Sequence, residues 1–149
     1  MTPYFDPRWL VLMIVRTDGF QRVWSLVHRF SAPFPLNPVH HLILENALHR
    51  QLHDPDAKLV NAALDGLQRW RSRLAEQVFE IRAPDWLTAY RLATIWNQED
   101  PGRPPAHGAL LHVALARTEQ ATHLLSLDKE MRGLAKAKGL HVLPDRLEV

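Results

Sequence analysis

Short β-forming runs alternate with helix-length segments along this chain, and that rhythm restricts the folds open to it. Pro3–Phe5 reads as a strand ending at Asp6, and the apolar run Trp9–Val15 reads as a helix. Phe20, Val23, Trp24, Val27 and Phe30 fall at helical spacing and form one stripe. Pro33–Leu36 reads as a second strand. Asn37-Pro38 then opens a helix to about His53, with Asn as cap and Pro in the first turn. Asp56 opens another, to about Arg73, and Gln77–Ile81 carries β-formers. Ala83-Pro84 starts a helix holding Trp86, Leu87, Tyr90 and Ile95, and an apolar helix spans Gly108–Glu119. Thr122–Leu127 is a strand ending at Asp128. Lys129–Lys138 is a basic helix stopped by Gly139, and Leu140–Leu143 is the last strand. About five short strands and about seven helices in βα order predict an α/β domain, three-layered α/β/α, with a mainly parallel sheet.

The length of 149 residues fits one domain, 1–149. The absence of cysteine excludes disulfide scaffolds, thiol nucleophiles, cysteine zinc sites and iron–sulfur clusters. No apolar run reaches the roughly 20 residues a membrane helix needs. Neither a signal peptide nor a membrane anchor is expected, and a cytoplasmic location is. Lys plus Arg number 18 against 16 acids, a net charge of +2, which permits nucleic-acid contact without requiring it.

In parallel α/β sheets, ligands bind beyond the carboxyl ends of the strands. Asp6 and Asp128 each follow a predicted strand, so two carboxylates arrive at that edge from distant parts of the chain. The plain role of Asp at such a turn is to cap the next helix. A paired role, as metal ligands, needs further acids beside them.

Several stretches carry a family resemblance. They are His112–Ala116 (HVALA), Ala121–Lys129 (ATHLLSLDK) and Leu134–Leu143 (LAKAKGLHVL), with Tyr4–Asp6 (YFD), Asn37-Pro38 and Glu45–Leu48 (ENAL) before them. In this order they resemble a PIN domain of the VapC toxin type, most specifically in the C-terminal block. The resemblance implies a PIN-like α/β/α fold and a metal-dependent ribonuclease of a toxin–antitoxin pair. It implies carboxylates holding Mg²⁺ or Mn²⁺, RNA as substrate, an antitoxin-like protein partner and a homodimer. The chemistry suits the metal, since Mg²⁺ takes oxygen ligands and activates water for in-line attack.

Of the four acids the resemblance implies, two are present. Asp6 matches the first, although Pro7-Arg8 follows it where the family has Thr or Ser. The second falls on Ile43; Glu45 lies two residues on, turned about 200° around the helix. The third falls on Ala109 and the fourth on Asp128, with Glu130 a possible helper. Losing two charges ~5 Å from a cation weakens its attraction by several kcal/mol at an effective dielectric of ~20. The expectation is a PIN-like domain with impaired catalysis that binds RNA or a protein partner. The alternative is an active Mg²⁺- or Mn²⁺-dependent nuclease using Asp6, Asp128 and Glu130.

Other groupings have plainer readings. His41, Glu45, His49 and His53 recur every fourth residue on one helix face. That spacing can bind zinc, but more simply makes a solvated polar face. Lys129, Arg132 and Lys136, with Lys138, load the helix after Asp128 and are the candidate RNA contacts. Arg69, Arg71 and Arg73 form a weaker second cluster. His112 reads as a packed helix histidine. The tryptophans at 9, 24, 70, 86 and 96 read as core or subunit-interface residues, because they lie in helical stripes.

Overall fold

The computed structural model describes residues 1–15 and 20–147. Strands and helices alternate as β1 (Pro3–Phe5), α1 (Pro7–Ile14), α2 (Phe20–Val27), β2 (Phe34–Leu36), α3 (Pro38–Gln51), α4 (Ala57–Ala75) and β3 (Phe79–Ile81). They continue as α5 (Trp86–Glu99), α6 (His107–Thr118), β4 (His123–Leu125), α7 (Lys129–Ala137) and β5 (His141–Leu143). The architecture is therefore the expected α/β one. The strands are three residues each and divide between two hydrogen-bonded sheets, β1-β4-β5 and β2-β3. The β2–β3 and β4–β5 pairs are both parallel.

Asp and Asn start the helices. Asp6, Asn37, Asp56, Asp85 and Asp128 each accept a backbone N–H from the first turn of α1, α3, α4, α5 and α7. These donors have no partner inside a helix, so a side-chain acceptor just before it sets where the helix begins. Gly139 stops α7 with a φ of +86°, a conformation a side chain disfavours.

The chain packs as two compact units. One comprises Met1–Tyr4 with Ala83–Val149. Its core joins Tyr4 of β1, Val113 and Leu115 of α6, Leu124 of β4, Ala135 of α7 and Val142 of β5. The other unit is Phe5–Arg82. Here Phe34 and Phe79, paired across β2 and β3, lie 5.9 Å apart, and Trp70 of α4 sits 5.5 Å from Phe79. Leu10, Leu44 and Leu48 are fully buried in the same unit. Each such side chain contributes roughly 1.5–3 kcal/mol by leaving water. At Gly66 of α4 an added Cβ would meet Leu48 at 3.1 Å, so the residue admits close approach of α3.

Candidate metal centre and basic helix

Asp6 is buried at the end of β1, in the unit Phe5–Arg82. Its carboxylate accepts the Arg8 N–H at 3.0 Å and lies 3.7 Å from the Arg8 guanidinium. Two further buried polar side chains, Asn37 and His40, surround the start of α3. The Asn37 side chain accepts from Val39 and His40, while the Asn37 N–H donates to His40 Nδ1 at 3.1 Å. This is a capping box with His in the third helical position. With Nδ1 an acceptor, the ring proton is on Nε2, which donates to the Phe5 carbonyl at 2.6 Å. His40 thus ties the residue before Asp6 to the cap of α3. Sequence reasoning found the Asn37-Pro38 start but passed over His40. The signal was there, since the third residue after a cap often closes the box.

Ile43, at the second expected acid, is exposed on α3. Glu45 is engaged elsewhere on that helix. It accepts from His41 Nε2 at 3.0 Å and from the Trp70 indole at 3.2 Å, with His49 Nε2 3.9 Å away. The His41 hydrogen bond is the largest influence holding the Glu45 carboxyl below its ordinary pKa, against a smaller upward push from burial. His53, expected on the same face, is exposed in the turn after α3, which ends at Gln51. Arg69 donates to the Ile14 carbonyl at 2.9 Å. Arg73 lies over the Trp24 ring and 3.6 Å from Glu76, and Arg71 is exposed.

The remaining predicted residues lie in the unit Met1–Tyr4 with Ala83–Val149. Asp128 is half-buried at the start of α7. Its carboxylate accepts the Met131 N–H at 2.7 Å, and its own N–H donates to the buried Ser126 hydroxyl at 3.0 Å. Ala109, at the third expected acid, is buried in the apolar cluster with Leu110 and Val113. Glu130 is exposed and its carboxylate accepts the Ala106 N–H at 2.7 Å, binding the first turn of α7 to the start of α6. His112 is buried, with Nδ1 2.9 Å from the Tyr4 hydroxyl. Among the described residues, no three His, Asp or Glu side chains are gathered as a metal site.

The basic helix divides in two. Lys129 and Lys136 are exposed. Arg132, grouped with them by charge, is 5% exposed. Its guanidinium donates to the Ser126 carbonyl at 2.8 Å and the Pro144 carbonyl at 2.6 Å. Burial lowers its pKa, with Asp145 opposing that shift. Arg132 thus links the end of β4 to the segment after β5, on the inner side of α7 with Met131 and Ala135. Lys138 is paired with Glu99 and lies over the Trp96 ring.

No protein-family model matches this chain. No curated protein matches it either. Among solved structures, it resembles a chain in the crystal structure of VapBC2 from Rickettsia felis bound to a DNA fragment from their promoter. The TM-score is 0.62 at 16% identity, over 95% of this chain and 97% of that one. At that identity the likeness is one of fold. No helix among the described residues is long and apolar enough to cross a membrane.

Proposed function

We propose that the chain is a single PIN-like domain related to VapC-type toxin ribonucleases, with a degraded acidic centre, acting by binding a protein partner or RNA. One observation carries this reading: Ala109 is packed in an apolar cluster where a third metal-binding acid would stand. An acid there would face burial among aliphatic side chains, at a cost of several kcal/mol unless paired. The apolar Ile43 and the engagement of Glu130 with Ala106 support it. Asp6 and Asp128 each cap a helix, a sufficient reason for their presence. The residues present fit a Mg²⁺ or Mn²⁺ centre poorly.

Between the two ligands, a protein partner is favoured. With Arg132 inside and Lys138 paired, Lys129 and Lys136 are the exposed cations of α7. Two phosphate contacts make a weak nucleic-acid grip. The fold-similar VapBC2 was crystallised as an assembly on promoter DNA, and this supports an antitoxin-like partner here. The second reading is an active Mg²⁺- or Mn²⁺-dependent ribonuclease in the cytoplasm. It is favoured by Asp6 and Asp128 each lying in a strand-to-helix turn, after β1 and after β4.

Calorimetric titration with Mn²⁺ tests the proposal. Binding no tighter than about millimolar, unchanged in Asp6→Asn and Asp128→Asn, is expected. Micromolar binding lost in both variants would favour the nuclease. RNA affinity measured without metal, against salt, separates the two ligands.

A further inference from the structure

His123 and His141 are register partners at the first positions of the parallel strands β4 and β5. Residues paired across neighbouring strands lie about 4.8 Å apart and share one face of the sheet. The two imidazole rings stand 5.2 Å apart between centres, with 33° between their planes. His141 is exposed and His123 half-buried, so the pair reaches solvent. Both belong to one compact unit, and they lie at the opposite end of β4 from Asp128.

We infer that this pair binds a divalent transition metal of the zinc class, with water completing its coordination, independently of the nuclease reading. Spacing is the first argument. Each nitrogen bound to a tetrahedral Zn²⁺ lies ~2.0–2.1 Å from it, which places two imidazoles sharing the ion with ring centres roughly 5 Å apart. The rings already stand at that separation. Imidazole suits Zn²⁺, Ni²⁺ and Cu²⁺, whereas Mg²⁺ prefers oxygen, so this pair and an acidic centre would draw on different ions.

The surroundings of His123 are the second argument. A histidine that ligates through Nε2 carries its proton on Nδ1 and commonly gives it to an oxygen, which orients the ring. Thr122 Oγ1 stands 2.8 Å from His123 Nδ1. That hydroxyl also accepts the Thr2 N–H at 2.9 Å and has the Thr2 carbonyl 3.2 Å away for its own hydrogen. Thr122 is therefore placed to take the ring proton and turn Nε2 to the metal. Rigidity is the third argument. The Thr122 N–H donates to the Thr2 carbonyl at 2.9 Å, and the His141 N–H to the Thr122 carbonyl at 3.0 Å. The backbone beneath both rings is held before any ion arrives, so binding orders little.

Calorimetric titration of chelator-stripped full chain with ZnCl₂ tests the inference. One Zn²⁺ per chain is expected, with a Kd of about 100 μM or tighter. His123→Ala and His141→Ala, folded by circular dichroism, are each expected to weaken binding at least about 10-fold, because the second imidazole no longer closes on the ion intramolecularly. His49→Ala, on the histidine-bearing face of α3, is the control and is expected to bind as the wild type does. Zn²⁺ should also raise the melting temperature of the wild type more than that of either strand variant. A wild type that binds no tighter than about 1 mM would overturn the inference. So would binding untouched by both strand variants, which would mean an adventitious ion only. Binding lost equally in His49→Ala, or one metal shared by two chains, would overturn it as well. Should an alanine variant unfold, His123→Gln or His141→Gln replaces it with the same expected loss.

Discussion

His40 donates from Nε2 to the Phe5 carbonyl because its Nδ1 is already taken by the Asn37 N–H. One buried ring therefore fixes the end of β1 and the start of α3 together. Replacing His40 by Ala strips partners from a buried N–H and a buried carbonyl. A loss of roughly 2–4 kcal/mol is expected in urea unfolding. A change under about 0.5 kcal/mol would refute the role.

Arg132 and Lys129 are neighbours in composition and opposites in environment. Arg132→Met leaves the Ser126 and Pro144 carbonyls without their donor and is expected to cost roughly 2–4 kcal/mol. Lys129→Gln, on the surface, should stay within about 0.5 kcal/mol. Any RNA affinity should respond to Lys129 and Lys136 and, per folded molecule, not to Arg132. Unfolding curves and binding isotherms on Arg132→Met, Lys129→Gln and Lys136→Gln check both halves.

Glu130 holds the Ala106 N–H at the start of α6, which has no side-chain cap of its own. Glu130→Ala is expected to lower stability by about 0.5–1.5 kcal/mol, equally with and without Mg²⁺. Stabilisation of the wild type by Mg²⁺ that this variant removes would instead mark Glu130 as a metal ligand.

Glu45 gives acid stability a local origin. Its folded pKa is depressed, chiefly by the hydrogen bond from His41. Its contribution is therefore complete above the ordinary value of 4.5 and is lost as pH falls through the lower folded value. The side chain is a third exposed, so the effect is under about 1 kcal/mol. Glu45→Gln should lose that contribution, under about 1 kcal/mol, at pH 7 and converge on the wild type in acid, which flattens the stability profile below pH 4.5. An unchanged acid limb would contradict this.

Most of the fold was legible because its punctuation is chemical. Asn37-Pro38, Asp56 and Asp128 start helices by capping, and Gly139 ends one, so boundaries fell within a few residues. The β3 strand begins at Phe79, later than Gln77, because Gln77 takes a left-handed turn after α4. The division into two sheets was hidden, since pairing joins residues as distant as Phe34 and Phe79. Arg132 misled for a related reason. Its charge suggests solvent, and only the folded chain brings the Ser126 and Pro144 carbonyls to it. Asp6 and Asp128 stand out in the sequence because each lies between a strand and the helix it caps, while His40 needs the Phe5 carbonyl beside it to be recognised.

On the proposed reading, Asp6 and Asp128, without acids at 43 and 109, do not make a working nuclease centre. Incubating a mixed RNA with the folded chain in Mn²⁺ or Mg²⁺, beside Asp6→Asn and Asp128→Asn, tests it most directly. No cleavage above the rate of either variant is expected. Metal-dependent cleavage by the wild type that both substitutions abolish would contradict it.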